Sequence, residues 1–289
     1  MEKIGWIGTG ILGTEIVKTL LRKGINVSIY NRTKEKADNL VQYGAKIEDN
    51  LLDLFSKSTI IFSCLGSQDA FRSLIELNIN VLNKRKKKKI LIDISTISPQ
   101  DAISNAVSLK LINVNYIESP VSGGKEGANQ GIMTAICSGN IKFFVLIKNL
   151  LSYFCSNIHY VGEHGNAQKL KIINNLAESI NLLCASEVIL LGLKLGFDVG
   201  ILKDILTTAR GRSTYMDLLL ERLYNQTDDI AVTLDVRTKD LALAKALLEQ
   251  VELKANLSNI AIELFEKTKK IYGLSEDQSK CFDAIQSLV

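Results

Sequence analysis

The chain changes its hydrophobic period once, and that change decides what it can fold into. Up to about Gly162, short β-branched runs alternate with amphipathic stretches: Ile4 to Gly8, Asn26 to Tyr30, Thr59 to Cys64, Ile90 to Ile94, Tyr116 to Ser119, Ile132 to Ser138 and Ile158 to Val161. Such alternation predicts βαβ units and a mainly parallel sheet. The intervening stretches read as covering helices; Leu12 to Lys23 sets Ile16, Val17, Leu20 and Leu21 on one side and ends at Gly24, a natural C-terminal cap. After Gly165 the apolar spacing becomes helical through Leu170, Ile173, Leu176, Ile180, Cys184, Val188 and Leu191. One helix from about Gly165 to Leu195 is predicted there, opening a region built of helices alone.

Length and composition agree with two ordinary globular domains. A chain of 289 residues makes about two domains and can bury a core without disulfides or metals. With 46% hydrophobic residues and 2 prolines it lies far from the disordered and proline-rich classes. Its 5 cysteines are scattered singly, without a C-x-x-C pair, which argues against a disulfide framework and a zinc site and predicts a reducing, cytoplasmic setting. The net charge of +4 is local, because Lys84 to Lys89 form a run of 6 cations and 4 − 6 leaves −2 elsewhere. That run directly precedes a strand and has no interleaved aromatic residues, so it is read as a solvated connection rather than a nucleic-acid or lipid contact. The most apolar region, Ile172 to Gly196, is interrupted by Asn174, Asn175, Glu178, Glu187 and Lys194, and predicts no membrane span. The N-terminus lacks the pattern of a secretory signal, so residue 1 is expected to begin the fold.

Gly8, Gly10 and Gly13 stand between the first strand and the first helix, with Ile11 and Leu12 inside the motif. In that setting glycines allow the tight turn, let backbone N–H groups approach a pyrophosphate at a helix N-terminus, and let helix and strand pack closely. This predicts an α/β Rossmann-type domain over residues 1–162 that binds a dinucleotide, and the helical period predicts an all-α domain over residues 163–289. An acid at the end of the second strand would select NAD(H) through the ribose 2′-OH. Asn31, Arg32 and Thr33 stand there instead, with no carboxylate to repel a 2′-phosphate. Arg32 and Thr33 can bind one, so NADP(H) is preferred, with NAD(H) possible; the plainer reading is that Asn31 and Thr33 simply cap the next helix.

Three further motifs follow in order. Asp93-Ile94-Ser95-Thr96-Ile97-Ser98-Pro99 and Ser119-Pro120-Val121-Ser122-Gly123-Gly124 each follow a strand, and Gly162 to Asn175 opens the long helix. With the N-terminal glycines and Lys239-Asp240-Leu241-Ala242-Leu243-Ala244, they resemble the β-hydroxyacid dehydrogenase family across essentially the whole chain. That family includes 3-hydroxyisobutyrate dehydrogenases, tartronate semialdehyde reductases and glyoxylate/succinic semialdehyde reductases. By length the chain is similar to these members rather than to 6-phosphogluconate dehydrogenase.

The physical role of each motif matches what the resemblance implies. The Ser122-Gly123-Gly124 turn can present backbone N–H groups and a hydroxyl to one anion, and the resemblance assigns a substrate carboxylate to Ser122 and Gly123. Lys171 and Asn175 are four apart and share a helix face, with Asn174 beside them. Lys171 can exchange a proton with the substrate oxygen, provided that burial and the nearby cationic cofactor lower its pKa. The resemblance makes Lys171 this general acid/base and Asn175 the residue that orients the substrate. Ser95 and Thr96, at the C-terminal edge of the sheet, are expected to line the nicotinamide. By resemblance Leu65, Gly66 and Ser67 lie along the cofactor, and Lys239 touches cofactor or site.

Other residues are read more plainly. Lys169 faces away from Lys171. His159 and His164 have no carboxylate motif for a metal or triad role. Glu178 continues the Lys171 stripe toward the pocket rim or solvent, and Arg210, Arg212 and Tyr215 are candidates for a second polar group of the substrate. The segment Asp228 to Thr238 departs from the family in lacking the aromatic residues common there. The expected protein interconverts a small β-hydroxy acid and its semialdehyde or oxoacid, in a site between two domains, as a homodimer or homotetramer. The alternatives are an imine reductase on the same fold, against which Lys171 argues, and a non-catalytic NADP-binding module docking through the lysine run.

Overall fold

All seven predicted strands form. The computed structural model describes residues 3–76 and 88–287. In chain order the first half contains β1 (Ile4–Ile7), α1 (Ile11–Arg22), β2 (Val27–Tyr30), β3 (Lys46–Ile47), α2 (Leu51–Lys57), β4 (Ile60–Ser63) and α3 (Gln68–Glu76). These are followed by β5 (Lys89–Asp93), α4 (Pro99–Lys110), β6 (Val114–Glu118), β7 (Val121–Ser122), α5 (Gly124–Gln130), β8 (Met133–Gly139), α6 (Ile141–Leu151) and β9 (Cys155–Tyr160). The sheet runs β3-β2-β1-β4-β5-β6-β8-β7, with β9 beside β8. Every pair from β3 to β6 is parallel, whereas β8 lies antiparallel to β6 and β7. The two strands that sequence reading did not list, β3 and β7, have two residues each, too few to show an alternating period.

Alternation along each strand divides the core. Ile4, Trp6, Phe62 and Ile92 pack on one face with Ile16 and Leu20 of α1, while Ile7, Ile61 and Leu91 pack on the other with Leu54, Phe55 and Leu109. Trp6 stacks on Phe62 with ring centroids 5.2 Å apart. Each fully buried side chain of this size contributes about 1.5–3 kcal/mol relative to exposure.

The second half holds α7 (Asn166–Lys194), α8 (Val199–Leu206), α9 (Thr214–Asn225), α10 (Leu234–Gln250), α11 (Asn256–Tyr272) and α12 (Lys280–Gln286). Asp198, Ser213 and Thr233 cap α8, α9 and α10 through their side chains. By its packing the chain divides into a unit ending at Lys171 and a unit beginning at Ile172, so that α7 contributes to both. The second unit closes on its own core, with Leu182, Ile189, Leu220, Phe265 and Cys281 at its centre.

Two sequence readings are corrected. By length and composition α7 does meet the measure of a membrane-crossing helix, its apolar residues outweighing the few charges among them. Its Leu182, Ala185 and Ile189 are nevertheless buried in the second unit's core, as in a core helix. The run Lys84 to Lys89 is not wholly a solvated connection. Lys84 to Lys87 lie outside the described residues, but Lys89 opens β5, is buried, and donates to the Ser58 carbonyl.

Candidate active site

The glycine motif forms the turn from β1 into α1. Gly8 has φ +92°, and a Cβ there would lie 2.3 Å from the Cys64 carbonyl oxygen. A Cβ on Gly13 would lie 2.4 Å from the Gly8 oxygen. That same oxygen accepts the Trp6 indole N–H at 2.8 Å. Gly10 is the N-cap of α1, with no side-chain cap and no acid in the first turn. Residues that hold a tight turn in front of an uncapped, acid-free helix start fit a dinucleotide pyrophosphate.

At the end of β2 the side chain of Asn31 works within the protein. Its Oδ1 accepts from Thr9 N at 2.9 Å, and its Nδ2 donates to the Thr33 carbonyl at 2.7 Å. Asn31 thus fastens the glycine turn to the second strand. Arg32 and Thr33 are exposed. Thr33 precedes a short 3-10 turn without capping it through its side chain.

The loops after β4 and β5 are joined. Leu65 N donates to Ser95 Oγ at 2.9 Å, while Ser67 Oγ accepts from Ala70 N at 3.2 Å at the start of α3. Gly66 is exposed and Thr96 half-buried. Beneath them Asp93 accepts from Ser63 Oγ at 2.9 Å, Ser95 N at 3.1 Å and the Tyr116 hydroxyl at 2.8 Å. Burial pushes the Asp93 carboxyl above its ordinary value, against the pull of these hydrogen bonds. Gln168, in the first turn of α7, completes the frame by donating to the Ser95 carbonyl at 3.0 Å and accepting from Ile97 N at 3.1 Å.

Ser122 ends β7, and Gly123 and Gly124 turn the chain into α5 with φ of +134° and +62°. Successive left-handed and open conformations of this kind form the concave backbone that binds anions. Glu126 stands in the first turn of α5, its Oε2 3.1 Å from the place of a Gly124 Cβ. An acid so near a turn expected to bind an anion was not anticipated.

Lys171 is buried at 7% exposure and Asn175 at 5%, one turn apart on α7. The lysine therefore does not stand in solvent, whereas Lys169 does. The helix start that carries it is held by Glu118, whose Oε1 accepts from Gly165 N at 2.7 Å and meets His164 Nδ1 at 3.1 Å. His164 thus has the carboxylate neighbour that its sequence surroundings did not reveal.

In the second unit both asparagines are held by acids. Asn174 Nδ2 donates to Glu178 Oε1 and Asn175 Nδ2 to Asp240 Oδ2, each at 2.7 Å. Lys239 Nζ pairs with the other oxygen of Asp240 at 3.2 Å. Glu178 Oε2 accepts from Arg237 at 2.9 Å and from the Tyr215 hydroxyl at 2.9 Å. Burial pushes the Tyr215 phenol up to about 12. Tyr215 therefore belongs to this network, while Arg212 pairs with Asp217 at 2.8 Å and Arg210 is exposed.

Sequence reading missed Glu118 and Arg237, and left Asp93 and Gln168 without roles inside the motifs that hold them. Each acts through partners distant in sequence. For all but Arg237 the one available signal was a polar residue at a strand end or near a helix start.

Residues 3–162 match the family described as NAD binding domain of 6-phosphogluconate dehydrogenase, and residues 165–285 that described as NAD-binding of NADP-dependent 3-hydroxyisobutyrate dehydrogenase. A solved structure described as Psf3 in complex with NADP+ and 2-OPP is 38% identical, with a TM-score of 0.93, covering 98% of this chain and 99% of that one. The 2-(hydroxymethyl)glutarate dehydrogenase of Eubacterium barkeri is 27% identical over 96% of this chain and 92% of its own length. The cytokine-like nuclear factor N-PAC of Gallus gallus is 26% identical over 98% of this chain, which spans 51% of that protein.

Proposed function

We propose a specific reaction for this chain, which belongs to the β-hydroxyacid dehydrogenase family and is an NAD(P)-dependent oxidoreductase acting on CH–OH groups: reduction of a small anionic semialdehyde or oxoacid to the β-hydroxy acid, with NADPH preferred. The observation that carries it is the burial of Lys171 one turn before Asn175, on a helix whose first turn is bound by Gln168 to the Ser95 loop.

Bound NADPH supplies the hydride. Lys171 gives its proton to the carbonyl oxygen as charge develops there, and takes it back from the alcohol in the reverse direction. Asn174 and Asn175 orient the substrate. Ser122 and the Gly123-Gly124 backbone bind its acid group, and proximity of bound partners supplies most of the remaining advantage. Gly8, Gly10, Ile11, Leu12 and Gly13 would hold the pyrophosphate, Arg32 and Thr33 the 2′-phosphate, and Lys239 the region of cofactor or substrate near Asp240. The presence of NADP+ in the Psf3 structure supports the choice of cofactor. The exposed Leu191 of α7 and Leu195 just after it, at 60% and 67%, support a self-associating chain.

The test is NADPH and NADH oxidation with glyoxylate, succinic semialdehyde, tartronate semialdehyde and 2-OPP, the compound seen with Psf3. Turnover with at least one of them is expected, and in Lys171→Ala it should fall about 100-fold or more, the range for loss of a general acid. Equal turnover by the variant rejects Lys171 as the proton donor.

A further inference from the structure

Arg237 of α10 lies inside the second unit at 2% exposure, where a cation persists only with partners. All five of its N–H donors have one. Nε donates to Gln278 Oε1 at 2.7 Å, one terminal nitrogen to the Asn175 carbonyl at 3.0 Å and Ser179 Oγ at 3.3 Å, and the other to Glu178 Oε2 at 2.9 Å and the Tyr215 hydroxyl at 3.0 Å. Burial opposes its charge, but attraction to Tyr215, Glu178 and Asp240 outweighs that and raises its pKa. A guanidinium with every donor engaged has none left for a ligand. Its influence on one must pass through the groups it holds.

Those groups carry the asparagines. Glu178 meets Arg237 and Tyr215 with Oε2 and accepts from Asn174 with Oε1. The Asn175 carbonyl accepts from Arg237, while its amide donates to Asp240. A carboxylate only accepts, so each amide is turned with its NH2 to the acid, and Asn174 Nδ2 also donates to Asn175 Oδ1 at 3.4 Å. Glu178 also lies seven residues after Lys171, on the same stripe of α7. Without a cation against it, its charge would repel an anionic substrate along that stripe.

We propose that Arg237 is a positioning residue for this reaction, fixing the Asn174 amide through Glu178 and the Asn175 turn through its main-chain carbonyl, so that both asparagines meet the substrate in one orientation. The proposal rests on the reading of these asparagines as substrate-orienting residues.

Two variants test it in the whole chain. Arg237→Lys keeps the charge but loses the planar fork. The double variant Arg237→Met with Glu178→Met replaces an ion pair by apolar groups of similar volume, which commonly preserves folding. In both, KM for the carbonyl substrate should rise about tenfold, as for loss of a charge-assisted hydrogen bond, with kcat changed far less and KM for NADPH unchanged. Folded variants with a lowered Tm but an unaltered substrate KM would show a purely stabilising role and overturn the proposal alone. Absence of wild-type turnover on every substrate overturns the functional reading, and the proposal with it.

Discussion

Glu118 Oε1 accepts the main-chain N–H of Gly165 at 2.7 Å, setting a fully buried carboxylate from the end of β6 against the opening of α7. Helix N-termini favour negative charge, and a charged acceptor there is worth more than a neutral one. Glu118→Ala is expected to cost about 2–3 kcal/mol, from an unpaired buried N–H and the lost charge, and Glu118→Gln distinctly less. Urea unfolding of the three proteins measures the order. Because Lys171 lies six residues after Gly165, in the second turn of α7, the alanine variant should also lose turnover; full stability together with full activity would refute this role.

Arg32 is exposed at the end of β2, with Asn31 turned inward to Thr9 and Thr33. On the proposed reading it is the cation offered to a 2′-phosphate. Arg32→Ala should weaken NADPH about tenfold or more, the size of a lost charge-assisted contact, and leave NADH nearly unchanged. Titration of cofactor fluorescence compares the two directly. Equal weakening of both would contradict the assignment.

Asp277 is expected to govern acid stability in the second unit. Its Oδ2 accepts from Ala231 N at 2.8 Å and Val232 N at 3.1 Å, and its Oδ1 accepts from Ser279 N at 2.9 Å and pairs with Arg222. Burial works against ionisation, but Ser279 and Arg222 outweigh it and hold the carboxyl below the ordinary 3.8. Since the folded value is depressed, the ionised group stabilises the fold above the ordinary value, and that contribution disappears as pH falls through the folded one. Asp277→Asn should therefore be about 1–3 kcal/mol less stable at about pH 7, a deficit that shrinks as pH falls below the ordinary carboxyl value of 3.8. A difference that persists undiminished in acid would show that the carboxylate charge is not its source.

The readable parts were those with a local period or a local turn. The seven longer strands, α1 with its end before Gly24, and the glycine turn all follow from neighbours in sequence. Lys89 was hidden by the cations before it, although its own position in a buried strand was set by the apolar residues after it. Lys171 alone reads as a surface cation, and only the motif around it suggested otherwise. Arg237 could not be read at all, because its partners lie at positions 175, 178, 179, 215 and 278, and a polar residue two places before Lys239 looks like any exposed helical charge.

The indole of Trp6 holds the Gly8 carbonyl from inside the sheet, and that carbonyl in turn leaves no room for a side chain on Gly13. The shape of the turn is thereby settled by the hydrophobic interior before any dinucleotide arrives. Little backbone entropy should then be surrendered on association, so affinity there depends on contacts made rather than on order imposed.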